Sequence, residues 1–90
     1  MEGRETQRLD KWLWHARFFK TRTLASEMVS RGKVRVNGSI VKKPAYAVGE
    51  GDTLTIVKAG NVRLVRIIGL AERRGGAPEA QALYEDVAAE

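Results

Sequence analysis

The side chains with the clearest chemical potential in this sequence are closely spaced cations in its first half. Arg17, Lys20 and Arg22 fall within six residues, and Lys33 and Arg35 follow with one residue between them. Guanidinium and ammonium groups at fixed spacing bind phosphates, and arginine adds a planar fork that suits a phosphate or a guanine edge. The pattern therefore indicates recognition of a polyanion rather than a reaction.

The positive charge is unevenly distributed. The 90 residues include 16 Lys and Arg and 11 Asp and Glu, which gives a formal net charge of +5. Residues 1–43 hold eleven basic and four acidic residues, a net charge of +7, whereas residues 44–90 hold five basic and seven acidic residues, a net charge of −2. We expect a polyanion to contact the first half. The alternative is a solvated basic surface that binds no partner.

Residues that could catalyse a reaction are scarce. The only histidine is His15, whereas acid–base or nucleophilic catalysis needs several groups within hydrogen-bonding reach. We expect His15 on the surface, in reach of a phosphate or a base. The glycines follow turn positions and form no phosphate-binding loop signature. The sequence therefore predicts a protein that is not an enzyme and that uses no metal or cofactor.

The composition also points to a compartment. The chain has no Cys, which excludes disulfide scaffolds and fits a reducing cytosol. No apolar run approaches the roughly 20 residues of a membrane span. The first ten residues are polar, unlike a secretory signal. We expect one small domain in the cytoplasm, without a membrane partner.

Two helices are predicted in the first third of the chain. The apolar residues of the first recur at the spacing of a helix with one buried face; they are Leu9, Trp12, Leu13 and Ala16. Thr21 suits the N-cap of a second helix, and Gly32 suits the left-handed residue that ends it. The buried face of the second helix is formed by Leu24, Ala25, Met28 and Val29.

A small antiparallel sheet should follow. Apolar residues alternate from Val34, and Asn37-Gly38 is a strong hairpin signal. The predicted strands after that turn are Ser39–Lys43, Thr53–Lys58 and Val62–Leu70. Strict alternation fails in the last of these strands, so we expect a bulge there or burial on both sides.

The C-terminal segment is predicted to be a basic loop followed by a helix that starts near Pro78. Its apolar residues repeat at helical spacing; they are Ala80, Leu83, Tyr84 and Val87. A helix this short must dock on something to be stable. The predicted fold class is α+β, with two N-terminal helices packed on a small, mostly antiparallel sheet and a docked C-terminal helix.

A set of positions across residues 8–57 carries a family resemblance. They are Arg8-Leu9-Asp10, Leu13, Thr21-Arg22, Ala25, Met28-Val29, Gly32, Val34, Val36-Asn37-Gly38 and Gly51-Asp52. This pattern resembles the RNA-binding domain of the ribosomal protein S-four type, with its alpha-L motif. The resemblance implies an RNA-binding domain of this type at 8–70. The residues themselves predict a disordered N-terminus at 1–7, and a basic loop and C-terminal helix at 71–90.

A narrower resemblance lies on top of the first. It rests on Trp12-Leu13-Trp14, Ala16-Arg17-Phe18, Lys20-Thr21-Arg22, Arg73-Arg74, Glu79-Ala80 and Leu83-Tyr84-Glu85, which are similar to the bacterial heat-shock protein fifteen family. That resemblance implies binding to large ribosomal subunits that still carry a nascent chain on tRNA. Longer members continue into a basic tail, whereas this sequence ends at Glu90. Its length is closer to a short paralogue group in ribosome-associated quality control.

The residues and the resemblance together predict an RNA-binding set. Its members are Arg8, Lys11, Arg17, Lys20, Thr21, Arg22, Lys33, Arg35, Asn37, Lys42 and Lys43. The cations from 17 to 22 should lie close together around the junction of the two helices, where a helix N-terminus also favours phosphate. Asn37 is a turn residue first and a contact second.

Two aromatic residues, Trp14 and Phe18, are candidates for stacking on RNA bases. They are four residues apart, on a different face from Trp12. The alternative, which we favour, is that they receive the terminal helix through Leu83 and Tyr84, since an undocked helix would not persist.

Three functions compete at this point. The first is a monomeric, non-catalytic ribosome factor that recognises ribosomal RNA of the large subunit, and peptidyl-tRNA, in rescue, recycling or quality control. The second is a general nucleic-acid regulator or chaperone that binds RNA or DNA. The third is an RNA-modifying enzyme, for which 90 residues leave no room for a catalytic domain.

Overall fold

The computed structural model describes residues 4–87. The helices are α1 (Leu9–His15), α2 (Arg22–Ser30) and α3 (Ala77–Gln81). The strands are β1 (Gln7–Arg8), β2 (Val34–Val36), β3 (Ser39–Ile40), β4 (Ala47–Val48), β5 (Thr53–Lys58), β6 (Asn61–Ile67) and β7 (Tyr84–Asp86). This order confirms the predicted α+β class. Among the described residues, no helix is both long and apolar enough to cross a membrane.

The strands form two antiparallel sheets. The larger sheet has the order β3-β2-β5-β6-β7, and β1 pairs with β4 in a separate two-stranded ribbon. The β2–β3 hairpin turns at Asn37-Gly38, which have φ values of 52° and 91°. Both values are positive, as the tight hairpin turn predicted for this pair requires. A second turn of positive φ, at Ala59-Gly60, joins β5 to β6.

The core forms where the two N-terminal helices meet the larger sheet. Helix α1 buries the apolar stripe that its spacing predicts, so Leu9, Trp12 and Leu13 are fully buried. Helix α2 buries Ala25 and Val29, and its Leu24 and Met28 are partly buried against the core. Thr21 caps α2, because its Oγ1 accepts a hydrogen bond of 3.0 Å from the backbone N–H of Leu24. Gly32 has a φ of 77° and follows the end of α2, in agreement with the predicted left-handed residue.

Two strand predictions are wrong in detail. The pairing of β5 with β6 runs without a break from Thr53↔Arg66 to Lys58↔Asn61, so the predicted bulge is absent from this stretch. Alternation appeared to fail only because Ile68 lies beyond the end of β6, where its side chain is exposed. The strand predicted at 39–43 is also shorter, since β3 ends at Ile40.

The C-terminal helix ends earlier than its apolar spacing predicted. Helix α3 stops at Gln81, and residues 84–86 form the edge strand β7 against β6. Tyr84 packs on the ring of Phe18 with 4.8 Å between centroids. The open edge of β6 is a ready template for strand pairing, whereas a helix of five residues extended by one turn is only marginally stable. The segment therefore docks as predicted, but through a strand rather than a longer helix.

The residues before α1 are more ordered than predicted. Residues 1–3 lie outside the described part of the chain, but Gln7 belongs to β1 and Arg4 bonds to the carboxylate of Asp52 at 2.8 Å. Asp52 is 7 % exposed and also accepts hydrogen bonds from the Asn37 side chain and the Gly49 N–H. This one carboxylate joins the N-terminal segment, the hairpin turn and the loop before β5.

We predict that Asp52→Asn lowers the free energy of unfolding at neutral pH by about 1–3 kcal/mol. Burial opposes ionisation of Asp52, but the hydrogen bonds from Arg4, Asn37 and Gly49 outweigh it and lower the pKa. A lowered carboxyl pKa stabilises the fold above the unfolded-state pKa, and this stability is lost as the pH falls through the folded-state pKa.

The measurement is urea unfolding between neutral pH and about pH 2. The Asp52→Asn variant should lose less stability than the unmodified chain below about pH 4. Glu50→Gln, at an exposed position in the same loop, is the control and should follow the unmodified curve. Parallel curves for the unmodified chain and Asp52→Asn would contradict the assigned role of Asp52.

Candidate nucleic-acid interface

A buried carboxylate organises two arginines where α1 and α2 meet. The side chain of Asp10, in the first turn of α1, is only 3 % exposed. Arg8 donates to it through Nε at 3.1 Å and Nη2 at 3.0 Å, and the Nε of Arg22 lies 3.8 Å from Oδ2. Both guanidinium groups remain about half exposed. Each guanidinium group therefore has Asp10 on its buried side and solvent on its outer side.

The start of α2 adds to this positive site. Arg22 is its first residue, and its first turn contains no acidic residue, so the positive end of the helix dipole is not offset from within the helix. Lys20 and Thr21 are exposed immediately before it. Thr21 uses its oxygen as an acceptor in the cap, which leaves its hydroxyl hydrogen available to a phosphate.

The segment after β3 brings further cations to the same side of α1. The backbone N–H of Asp10 bonds to the carbonyl of Pro44 at 3.1 Å, which places the adjacent Lys43 near the Asp10 site. The aliphatic stem of Lys42 lies against Gly32, at the end of α2. These contacts could not be anticipated from sequence spacing, because they join residues ten or more positions apart.

Two predicted cations lie on the outer face of β2. Val34 and Val36 are buried, while Arg35 between them and Lys33 before them are exposed. Arg35 pairs with Ile40 across the hairpin and with Thr55 of β5. The outward orientation predicted for Lys33 and Arg35 is therefore confirmed.

Three other members of the predicted set have different surroundings. Arg17 adopts a left-handed φ of 64° after α1 and donates to the carbonyl of Gly75 at 2.8 Å. Lys11 borders a cavity on the side of α1 that also contains Glu5 and Glu72. The amide of Asn37 is occupied by Asp52 and by the N–H of Thr53. Asn37 therefore acts in the fold, and we do not propose it as an RNA contact.

The two candidates for base stacking, Trp14 and Phe18, have different surroundings. Phe18 is 6 % exposed and packs between Trp12 and Tyr84, so it has no open face for a base. This is the alternative that we favoured, with a strand in place of the helix. Trp14 is half-buried, and the guanidinium of Arg74 lies 5.5 Å from its ring centroid. A base could reach Trp14 only beside that cation.

The expected surface position of His15 is wrong. Its side chain is buried at 1 % exposure, because residues between 71 and 83 lie against that side of α1. Burial, followed by the nearby charge of Lys11, lowers the pKa of the imidazole. His15 is therefore neutral near pH 7 and does not contact a phosphate as a cation.

Two residues have important roles that were not predicted from the sequence. Asp10 appeared there only within the family pattern, although its position two residues after Arg8 is compatible with an ion pair. Arg74 donates to the carbonyls of Trp14 and Phe19, so it satisfies backbone acceptors after α1. No local signal identifies such a long-range contact.

The arrangement matches a known family. A model of the S4 domain matches residues 7–54, which include Arg8, Asp10, Arg22 and the β2–β3 hairpin. The chain belongs to the S4 domain family. Because the match spans both helices and the first hairpin, it confirms the resemblance that the sequence alone indicated.

Comparison with individual proteins shows which relatives this chain resembles. The heat shock protein 15 homolog of Aeromonas salmonicida is 46 % identical over 82 residues, and heat shock protein 15 of Escherichia coli K12 is 48 % identical over 81. These alignments cover 91 % and 90 % of this chain but 61 % and 60 % of the relatives. The chain thus spans about three fifths of the length of these curated S4 domain proteins.

In two further comparisons, the alignment covers most of this chain and most of the relative. The RQC P-site tRNA stabilizing factor of Halalkalibacterium halodurans is 40 % identical over 78 residues, which is 87 % of this chain and 86 % of that protein. A trimeric structure of heat shock protein 15 from Vibrio cholerae superimposes with a TM-score of 0.87 at 46 % identity, covering 93 % of this chain and 84 % of the other. The S4-type fold is therefore confirmed.

We predict that Arg22→Ala lowers the affinity for ribosomal RNA by about tenfold. Joint replacement of Lys20 and Arg22 by Glu should lower it further. The melting temperature should change little, because Arg22 is 43 % exposed and such ion pairs contribute little to stability. Fluorescence anisotropy and thermal unfolding measure the two effects.

The matched control is Arg66→Ala. Arg66 is also about half exposed and paired with a carboxylate, that of Glu85, but it lies on β6. The control removes the same charge and should leave RNA affinity within about twofold, since it removes no direct phosphate contact. Equal weakening by both substitutions would show that net charge, rather than the site at Asp10, determines binding.

Proposed function

We propose that this chain is a non-catalytic, ribosome-associated RNA-binding factor that recognises large ribosomal subunits carrying a nascent chain on tRNA. The observation that carries the proposal is the pair of half-exposed arginines held by buried Asp10. Two guanidinium forks at a fixed separation suit the phosphates of a structured RNA, which is recognised largely through its shape and backbone.

The distribution of free charge supports an extended RNA surface. Seven cations make no hydrogen bond or ion pair with any residue from 4 to 87; they are Lys11, Lys20, Lys33, Arg35, Lys42, Lys43 and Arg73. All but Arg73 lie in the first half of the chain. Together with Arg8 and Arg22, those six from the first half are the contacts that we propose, with Arg17 at one end and Thr21 in the α2 cap.

The names of the relatives support the ribosomal context. One is an RQC P-site tRNA stabilizing factor, of which this chain spans 86 %, and others are heat shock protein 15. From this likeness we propose tRNA on the large subunit as a partner, a role in stress or ribosome quality control, and a cytoplasmic site of action. The same likeness, with a buried and neutral His15, supports binding without catalysis.

The proposed assembly state differs from that of one relative. We propose that the chain acts as a monomer, whereas the structure of the Vibrio cholerae relative is trimeric. The free chain should scatter light as a particle of 10.0 kDa at all accessible concentrations. A mass near three times that value would replace the monomer by a trimer.

The experiment that tests the proposed function is co-sedimentation with purified large subunits across a salt series. We expect tight binding to subunits that carry peptidyl-tRNA and weaker binding to empty subunits. Affinity should fall steeply with salt, with a log–log slope of roughly −0.7 to −0.9 per phosphate contacted. Arg22→Ala should reduce that slope by about one unit, and Arg66→Ala should not.

Other outcomes would overturn parts of the proposal. Equal binding to empty and occupied subunits would show that the tRNA does not contribute to recognition. Equal competition by random duplex DNA would favour a general nucleic-acid module, which the charge of the first half alone would explain. Modification of ribosomal RNA beyond one event per protein would contradict the non-catalytic assignment.

A further inference from the structure

An open groove runs beside the Asp10 site along the exposed face of α2. It has a volume of about 570 Å³ and is lined by Arg8, Asp10, Arg22, Thr23, Ser26 and Glu27. That volume falls in the usual range for small-molecule sites and accommodates one nucleotide. A site that bound only the phosphate backbone would need only the cationic end of this groove.

The groove has opposite charges at its two ends. Arg8 and Arg22 form the positive end, and Glu27 lies five residues further along α2, roughly 7.5 Å along the helix axis. Glu27 is paired with Arg31 through Oε2 at 3.0 Å, but both side chains are more than half exposed. Such a pair is weak, and Oε1 bonds to no residue within the described range 4–87.

A carboxylate beside an RNA-binding site repels phosphate, so it needs another partner. The Watson–Crick edge of guanine presents two neighbouring donors, N1–H and the N2 amine, to which one carboxylate can bond. Adenine, cytosine and uracil each lack such a neighbouring pair. The hydroxyls of Thr23 and Ser26 lie between the two ends, where they can bond to a ribose 2′-hydroxyl.

We propose that this groove binds a single unpaired guanine nucleotide of the RNA. Its phosphate lies between Arg8 and Arg22, and its Watson–Crick edge bonds to Glu27. The proposal rests on the RNA-binding function proposed above and adds sequence preference to it. Because the recognised edge is used in base pairing, the guanine must come from a loop, a bulge or an end rather than from a duplex.

The direct test compares short oligouridines with one central guanosine, adenosine or inosine, titrated into the full chain at constant low salt. We expect guanosine to be preferred over adenosine by about tenfold, the order expected of one bidentate base contact. Inosine keeps N1–H but lacks the N2 amine, so its affinity should fall between the two.

Glu27→Gln isolates the base contact from general electrostatics. The substitution raises the net charge by one unit, so if charge alone mattered, every oligonucleotide would bind more tightly. If Glu27 holds guanine, the preference for guanosine over adenosine should fall below about twofold. Glu85→Gln is the matched control, because Glu85 is an equally exposed, arginine-paired carboxylate on β7; it should keep the full preference.

The outcomes separate this inference from the proposed function. No guanosine preference in the unmodified chain, or a preference that survives Glu27→Gln, overturns the groove assignment even if large subunits are bound. A guanosine preference lost in Glu27→Gln, in a chain that fails to sediment with large subunits, supports the groove and overturns the ribosomal role.

Discussion

The surface chemistry of this protein depends on one buried ion, the carboxylate of Asp10. A charge with 3 % exposure is tolerated only when it is paired and hydrogen-bonded, so the fold must keep Arg8 beside it. The backbone of Asp10 is fixed as well, through the Pro44 carbonyl. Arg8, which would otherwise sample many rotamers, is thereby held by two hydrogen bonds, and Arg22 lies within 3.8 Å of the same carboxylate. The loss of side-chain entropy occurs on folding and not on binding.

That arrangement is only as rigid as α1, which is seven residues long. A helix of that length is not stable by itself, and the far end of the chain supplies the missing packing. The indole of Trp12 donates to the Gly69 carbonyl at 2.9 Å, and Tyr84 covers Phe18. The C-terminal segment lies outside the matched residues 7–54, yet its contacts with Trp12 and Phe18 stabilise the helix that carries Asp10. Substitutions at Tyr84 could therefore weaken RNA binding without a direct contact.

Patterns among neighbouring residues predicted most helices and strands. Features that depend on contacts between distant residues were not predicted. The 3.6-residue spacing of α1, the Thr21 cap and the strand Thr53–Lys58 follow from neighbouring residues, and the structure has them. The strand at Tyr84–Asp86 does not follow, because its hydrogen bonds go to β6, some twenty positions away. His15 was misplaced for the same reason, since the segment that buries it comes more than fifty residues later.

The structure shows which cations remain available to a partner, and a count along the sequence does not. In the second half, Lys58 and Arg74 donate to backbone carbonyls, while Arg63 and Arg66 pair with carboxylates. These cations complete the fold and are partly neutralised by it. The first half keeps six cations that have no partner among the described residues, whereas Arg73 is the one such cation among the described residues of the second half. A polyanion therefore meets unpaired cations chiefly in the half that carries the net charge of +7, which orients the encounter before any specific contact forms.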